Sequence, residues 1–304
     1  MTYYISEEGF TMKHLFICNT SSDYISKVNL EKFKEERKID LNSSNYRRIG
    51  PHGICKYRDK LITANSYGNG ISIVDIKENR EVNDYFIGMH CNDVITHKDN
   101  AYIICGESNN VVMFDLIKNE LLEEIPCGNL PHSIVINKEK ELLLISNMEN
   151  DSLTLIDLNN KNSENIRVGA YPTKSMFSFD GNYIFACESN LGCDAKGSIA
   201  IISLKTLRIL HRIKVGNAPI DMYYDGRYCY VSNFGDGTIS IVDMSYYEEV
   251  ERLIVGGMPR GIVKLNKKIY VGDNYNNLLI EYNIKENIKS TIPIGGEPTG
   301  MVLI

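Results

Sequence analysis

One segment of this chain is copied seven times. From Pro219 the sequence reads PIDMYYDGRYCYVSNFGDGTISIVDMSYYEEVERLIVGG, and from Pro259 it reads PRGIVKLNKKIYVGDNYNNLLIEYNIKENIKSTIPIGG. Each copy runs as an apolar strand, a polar turn, a strand ending in a small residue and Asn or Asp, a Gly/Asn turn, an alternating strand, an Asx turn and a last strand. That is four short strands joined by hairpins, a supersecondary unit that cannot bury both of its faces alone and must stack on neighbours.

The frame restarts at Pro51, Cys91, Pro131, Pro172, Pro219, Pro259 and Pro298, at spacings of 40, 40, 41, 47, 40 and 39. Three slots set the alignment. The second strand is expected to end in Cys18-Asn19, Ala64-Asn65, Cys105-Gly106, Ser146-Asn147, Cys187-Glu188, Ser232-Asn233 and Gly272-Asp273. The third ends in Asn29, Asp75, Asp115, Asp157, Ser203, Asp243 and Asn283, residues suited to Asx-type turns. A Gly stands three residues before six blade starts (Gly88, Gly128, Gly169, Gly216, Gly256, Gly295), with Arg48 in that place in the first copy. The last copy stops after one strand, EPTGMVLI. Its missing strands match HLFICNTSSDYISKVNLEKFKEERKIDL at the other end of the chain. The expected fold is therefore all-β, a seven-bladed β-propeller of four-stranded antiparallel blades, closed by N-terminal strands pairing with the C-terminal strand so that no sheet edge is left open. Residues 12–304 form the single propeller domain, and residues 1–11 form a tail outside the repeat, or else Met12 is the biological start.

The segment Tyr230-Val231-Ser232-Asn233, preceded by Val215-Gly216-Asn217-Ala218-Pro219, resembles the YVTN (YncE-like) family of propeller repeats, whose pattern is V-G-x-x-P, an apolar strand, then Y-V-T-N. The resemblance covers nearly the whole chain beyond residue 11. It implies the architecture and no particular activity, because one fold hosts many functions. There is no Trp in the chain, so the Trp-Asp dipeptide of the other common propeller class is absent.

Lys+Arg total 33 against Asp+Glu 39, a formal net charge of −6. An acidic balance of this kind gives no basic stripe for a nucleic-acid partner. No run of about 18 apolar residues is present to cross a membrane. The N-terminus has no basic region, and Glu7 and Glu8 interrupt any apolar stretch, so no secretory signal is read and the expected compartment is the cytoplasm. The eight cysteines are then expected to be reduced thiols, the first pair to check for a bridge being Cys187 and Cys193. Cys18, Cys105 and Cys187 are read as occupants of one small-residue slot shared with Ala64, Ser146, Ser232 and Gly272.

Departures from the repeat carry the functional information. The residue after each blade start is His52, Asn92, His132, Thr173, Ile220, Arg260 or Thr299, and the next is Gly53, Asp93, Ser133, Lys174, Asp221, Gly261 or Gly300. In a propeller these positions enter the innermost strand, so both sets ring one mouth of the central channel. His52, Asp93, His132, Lys174, Asp221 and Arg260 are the expected ligand-binding groups. Imidazole and carboxylate are metal-ligating types, but His52 and His132 lie two blades apart with no short ligand spacing, so no metal and no cofactor is expected. His14, His97 and His211 read as surface or turn residues. Glu188–Gly197 is an insertion in the fourth blade, expected to overhang the same mouth. Gly68-Asn69-Gly70 and Gly235-Asp236-Gly237 read as hairpin turns needing positive φ.

No nucleophile elbow, phosphate loop, dinucleotide fingerprint or H-E-x-x-H is present. The leading expectation is a non-catalytic binding or scaffolding propeller, a monomer that takes a small molecule or a protein partner at the channel mouth. Two enzymatic alternatives stand beside it. Pro51-His52-Gly53 and Thr63-Ala64-Asn65-Ser66-Tyr67-Gly68 look like the repeats of seven-bladed lactonases, which would imply a hydrolase using His132 or His52 as base and Arg260 for the oxyanion. Fragments are similar to the streptogramin-linearising propellers, which would imply a lyase using His and Glu around Mg²⁺.

Overall fold

The computed structural model describes residues 14–41, 48–193 and 195–304. They form seven four-stranded antiparallel sheets. The seven innermost strands are Pro51–Tyr57, Cys91–His97, Pro131–Asn137, Pro172–Phe177, Pro219–Tyr224, Pro259–Leu265 and Pro298–Leu303, and the blades are numbered 1 to 7 in that order. Each innermost strand packs beside that of the next blade, and blade 7 packs beside blade 1. In blade 7 the C-terminal strand pairs with His14–Asn19, which pairs with Tyr24–Asn29 and then Lys34–Asp40. The circle is thus closed by a sheet drawn from both ends of the chain. The proposed tail and the alternative start at Met12 lie outside the described residues. No described helix is long and apolar enough to cross a membrane.

The burial of each strand follows from stacking blade on blade. Second and third strands are covered on both faces, so they read as nearly continuous apolar runs: Leu15, Phe16, Ile17 and Cys18 are all at or below 1% exposure. Successive side chains point to opposite faces. Leu15 and Ile17 therefore pack with Tyr270 and Leu279 of blade 6, while Phe16 and Cys18 pack with Ile54, Leu61 and Val74 of blade 1. Seven such apolar clusters occur among the described residues, one at each blade boundary. The outer strands, such as Lys34–Asp40, are largely exposed.

All seven third-strand termini make the turns their residue types suggest. Asp75 Oδ1, for example, accepts from the main-chain N–H groups of Lys77 and Glu78 at 2.9 and 2.8 Å, and Ser203 Oγ accepts from Thr206 N. In blades 3 to 7 a glycine before the blade start lies against the polar residue ending the second strand, and in blade 2 Gly88 lies against Cys105. A Cβ on Gly128 would come within 2.6 Å of the Asn147 amide. In blade 6 that role falls to Gly257, against Asp273, rather than to Gly256.

The two glycine-flanked segments do contain the expected positive φ, at Asn69 and at Gly237. Three sequence expectations need correction. Cys105 does not share the small-residue slot: it pairs with Cys91, as Asn65 pairs with Pro51, so it occupies the Asn slot and Ile104 stands where Ala64 does. His97 is buried at 8% exposure and meets Glu141 at 2.9 Å, because it ends an innermost strand rather than sitting in a turn. The blade 4 insertion leaves on the expected face, but none of its described residues lines the recess or the vestibule at the channel mouth. Its first residues donate from Ser189 N to Tyr171 O and from Asn190 N to Ala170 O within their own blade. Its last two residues, Lys196 and Gly197, open the third strand, where Lys196 pairs with Asn217 of the fourth.

Candidate functional site at the channel mouth

Innermost strands of neighbouring blades belong to separate sheets, so side chains join them. At the first ring position, Asn92 Nδ2 donates to Pro131 O and Thr173 Oγ1 to Pro219 O, each reaching the next blade. Thr299 Oγ1 donates to His52 O at 3.0 Å across the closure. These are latches, buried at 4%, 0% and 3% exposure. His52 and His132 latch with one ring nitrogen only. His52 Nδ1 lies 2.7 Å from Asn92 O and His132 Nδ1 lies 2.8 Å from Thr173 O. A carbonyl only accepts, so Nδ1 carries the proton and each Nε2 is left with a lone pair. The rings stand edge to face, 5.7 Å apart. Arg260 crosses from blade 6 to meet them, with Nη2 at 2.7 Å from His52 Nε2 and 3.4 Å from His132 Nε2.

Below this layer lies a second one. Asp93 accepts from Val94 N and, across the blade boundary, from Ile134 N. Asp221 does the same with Met222 N and Ile262 N. Lys174 stands between them, Nζ at 3.7 Å from Asp93 and 3.8 Å from Asp221. Burial works against the Lys174 ammonium, but the charges of Asp221 and Asp93 outweigh it and hold its pKa above the ordinary lysine value. Burial raises the Asp93 pKa, opposed by Lys174 and the two N–H donors. Lys174 thus bridges two carboxylates, and the three residues floor the channel, in a recess of about 50 Å³.

Arg260 has no such compensation. No carboxylate lies within 4.0 Å of it among the described residues, and its hydrogen bonds there run only to the two imidazoles. Burial pushes its pKa down from the ordinary arginine value, against the more distant charges of Asp221 and Glu297, yet a guanidinium stays protonated in proteins. The layer thus presents a cation and imidazole nitrogens to a vestibule of about 300 Å³, which also takes in Tyr67, His90 and Glu297.

The six expected residues all line the channel, in two layers of different character. His90, Tyr67 and Glu297 were not singled out by the repeat. His90 and Glu297 immediately precede blade starts, in a left-handed conformation (φ 58° and 53°). Each is held by the Asn of a neighbouring turn: Asn69 Oδ1 accepts from His90 N and Asn277 Oδ1 from Glu297 N. The signal in the sequence is the position before the blade start, read as a ring of its own.

Both imidazoles are held neutral. Burial, then the Arg260 charge, lowers the His52 pKa well below the ordinary value and lowers that of His132 to about 3. Between about pH 6.5, where an unfolded histidine titrates, and about 3, the unfolded chain binds more protons than the folded one. Stability therefore falls as pH falls through that window. His132→Asn keeps a donor for Thr173 O and removes the titration. Its melting temperature should fall less steeply with acid than that of the parent protein, and an identical acid limb would contradict the assignment.

The chain is a seven-bladed β-propeller whose mouth holds an unpaired arginine between two neutral histidines. A functionally unknown protein from Desulfotomaculum acetoxidans DSM 771 shares this fold with a TM-score of 0.79 and 15% identity, over 96% of this chain and 98% of that one. The hydrazine synthase of Kuenenia stuttgartiensis matches with a TM-score of 0.77 and 16% identity, over 86% of this chain and 91% of that one. The dihydro-heme d1 dehydrogenase NirN, in complex with DHE, matches at 0.66 and 13%, over 97% and 76%. At these identities the likeness is one of fold. No family model matches the chain, and no curated protein does.

Proposed function

We propose that this chain is a non-catalytic binding propeller of the YVTN-repeat type that takes a small anion, a carboxylate or phosphate, in its channel mouth. The observation that carries the reading is Arg260: a largely buried guanidinium with no carboxylate partner among the described residues, facing a concave vestibule. A buried charge left unpaired is costly, and an anion with matching acceptors removes that cost. The imidazoles favour binding over hydrolysis. A base with a pKa of about 3, as at His132, is a poor proton acceptor at neutral pH, and His52 Nε2 already accepts from Arg260. The lyase reading lacks a ligand set, since no three His, Cys, Asp or Glu among the described residues are grouped to hold a metal. Calorimetric titration with inorganic phosphate and with succinate tests the proposal. One-to-one binding that weakens with added salt is expected. Absence of heat from both at millimolar concentrations would sink it.

A further inference from the structure

Blade 2 departs from the other six at two positions that touch. In the others the residue opening the innermost strand and the residue ending the second strand pair as Pro51 with Asn65, Pro131 with Asn147, Pro172 with Glu188, Pro219 with Asn233, Pro259 with Asp273 and Pro298 with Asn19. In blade 2 both members are cysteine, Cys91 opposite Cys105. Where the slot holds Asn, its amide bonds a hydroxyl on the third strand, as Asn65 Nδ2 does with Ser72 and Asn233 Nδ2 with Ser240. The residue at that place in blade 2 is Val112, buried and apolar. The polar network has been replaced as a unit by a socket for sulfur. The two Sγ atoms lie 3.7 Å apart, Cys91 Sγ donates to Gly88 O, and a Cβ on Gly88 would press on Cys105 Sγ at 2.8 Å. Both residues are fully buried. By contrast Cys187 is buried in the blade 4–5 core while Cys193 is exposed on the insertion loop.

We propose that Cys91 and Cys105 are a disulfide-forming pair, a cross-strand staple at the mouth-side end of blade 2. The chemistry is thiol–disulfide exchange with a small-molecule disulfide such as oxidised glutathione. One cysteine thiolate attacks a sulfur of the oxidant, forming a mixed disulfide and releasing one glutathione thiolate. The second cysteine displaces the remaining glutathione, forming the Cys91–Cys105 bond. Two electrons and two protons pass to the oxidant, which leaves as two thiols. Burial of both sulfurs directs the exchange to the unfolded or locally opened chain and shields the finished bond from reduction. The bridge closes a short loop in the unfolded chain, so the oxidised protein melts higher, by about 5 °C. Its main-chain neighbourhood belongs to the mouth: Ser66 Oγ donates to Cys91 O, and Asn92 O anchors His52.

The test is refolding across glutathione buffers from reducing to oxidising, followed by denaturing alkylation without reductant and peptide mass mapping. The oxidised sample should show six alkylated thiols instead of eight, with Cys91 joined to Cys105. Cys91→Pro places there the residue used by the six other blades, and its melting temperature should not respond to the glutathione ratio. Eight free thiols at the most oxidising ratio, a bridge between any other pair, or glutathione adducts without a bridge would each overturn the proposal. The mass count on the parent protein decides even if a variant fails to fold.

Discussion

Removing residues 1–30 should abolish the cooperative thermal transition of this protein or leave it associated on gel filtration. The deletion takes away two of the four strands of blade 7. His14–Asn19 is the strand that joins the two ends of the chain, with His14 N and Ile304 O at 3.0 Å and the reciprocal bond at 2.9 Å. Thr20 Oγ1 also meets Thr299 Oγ1 at 3.0 Å and donates to Pro51 O. With the strands go Leu15, Phe16, Ile17, Ile25, Val28 and Leu30, all buried and shared between the clusters facing blades 6 and 1. At about 1.5–3 kcal/mol for each large apolar side chain, the loss is about 10 kcal/mol or more. That matches the whole stability of a typical domain, about 5–15 kcal/mol. What remains exposes the edge of the Pro298–Leu303 strand, which templates association. Deletion of residues 1–11, which lie outside the described residues and outside the repeat, is the control and should be nearly neutral. A monomer that melts cooperatively after the longer deletion would show that the ring does not depend on its closure.

Arg260→Ala should weaken binding of the anion identified by titration more than tenfold. A charge-assisted hydrogen bond contributes about 1.5–3 kcal/mol, and a tenfold change is about 1.4 kcal/mol. The melting temperature should hardly move, because Arg260 has no carboxylate partner among the described residues to be stranded by its loss, and the cost of burying its charge offsets the hydrogen bonds it makes to His52 and His132. His52→Ala and His132→Ala should weaken binding less, since a neutral imidazole makes no charge-assisted contact, and should lower the melting temperature, since each gives up a latch to the next blade. Lys77, exposed on the turn between the third and fourth strands of blade 1, is the comparison on the opposite face. If binding survives Arg260→Ala and is lost on changing Lys77, the ligand enters from the other end of the channel.

The features legible in the sequence share one property: they are local and repeated. An Asp or Asn that closes a turn with N–H groups two or three residues away can be seen in a single copy, and its recurrence in six of the seven copies fixes the frame. Counting from each blade start also placed His52, His132 and Arg260 in one ring, since the repeat converts sequence position into height along the channel. Cys105 was misplaced for a related reason. The small-residue rule was applied to the cysteine, where an ungapped overlay of the copies starting at Pro51 and Cys91 puts it level with Asn65. His90 and Glu297 were missed because the position before the blade start has no constant residue. Their direction depends on a left-handed backbone held by an Asn some 20 residues earlier.

By itself the sequence determined the number of blades, the four strands in each, the turns between them and the closure by the two termini. Those follow from alternation, turn chemistry and repetition within about 40 residues. Only the tertiary structure decided which charged residues pair with one another and which are left facing the mouth. Lys174 pairs with Asp93 and Asp221, whereas Arg260 meets only His52 and His132, across 208 and 128 residues of chain. Contacts across the axis depend on how far seven stacked blades curve before they close and on which side chains are already bound to the next blade. No single copy of the repeat contains that information.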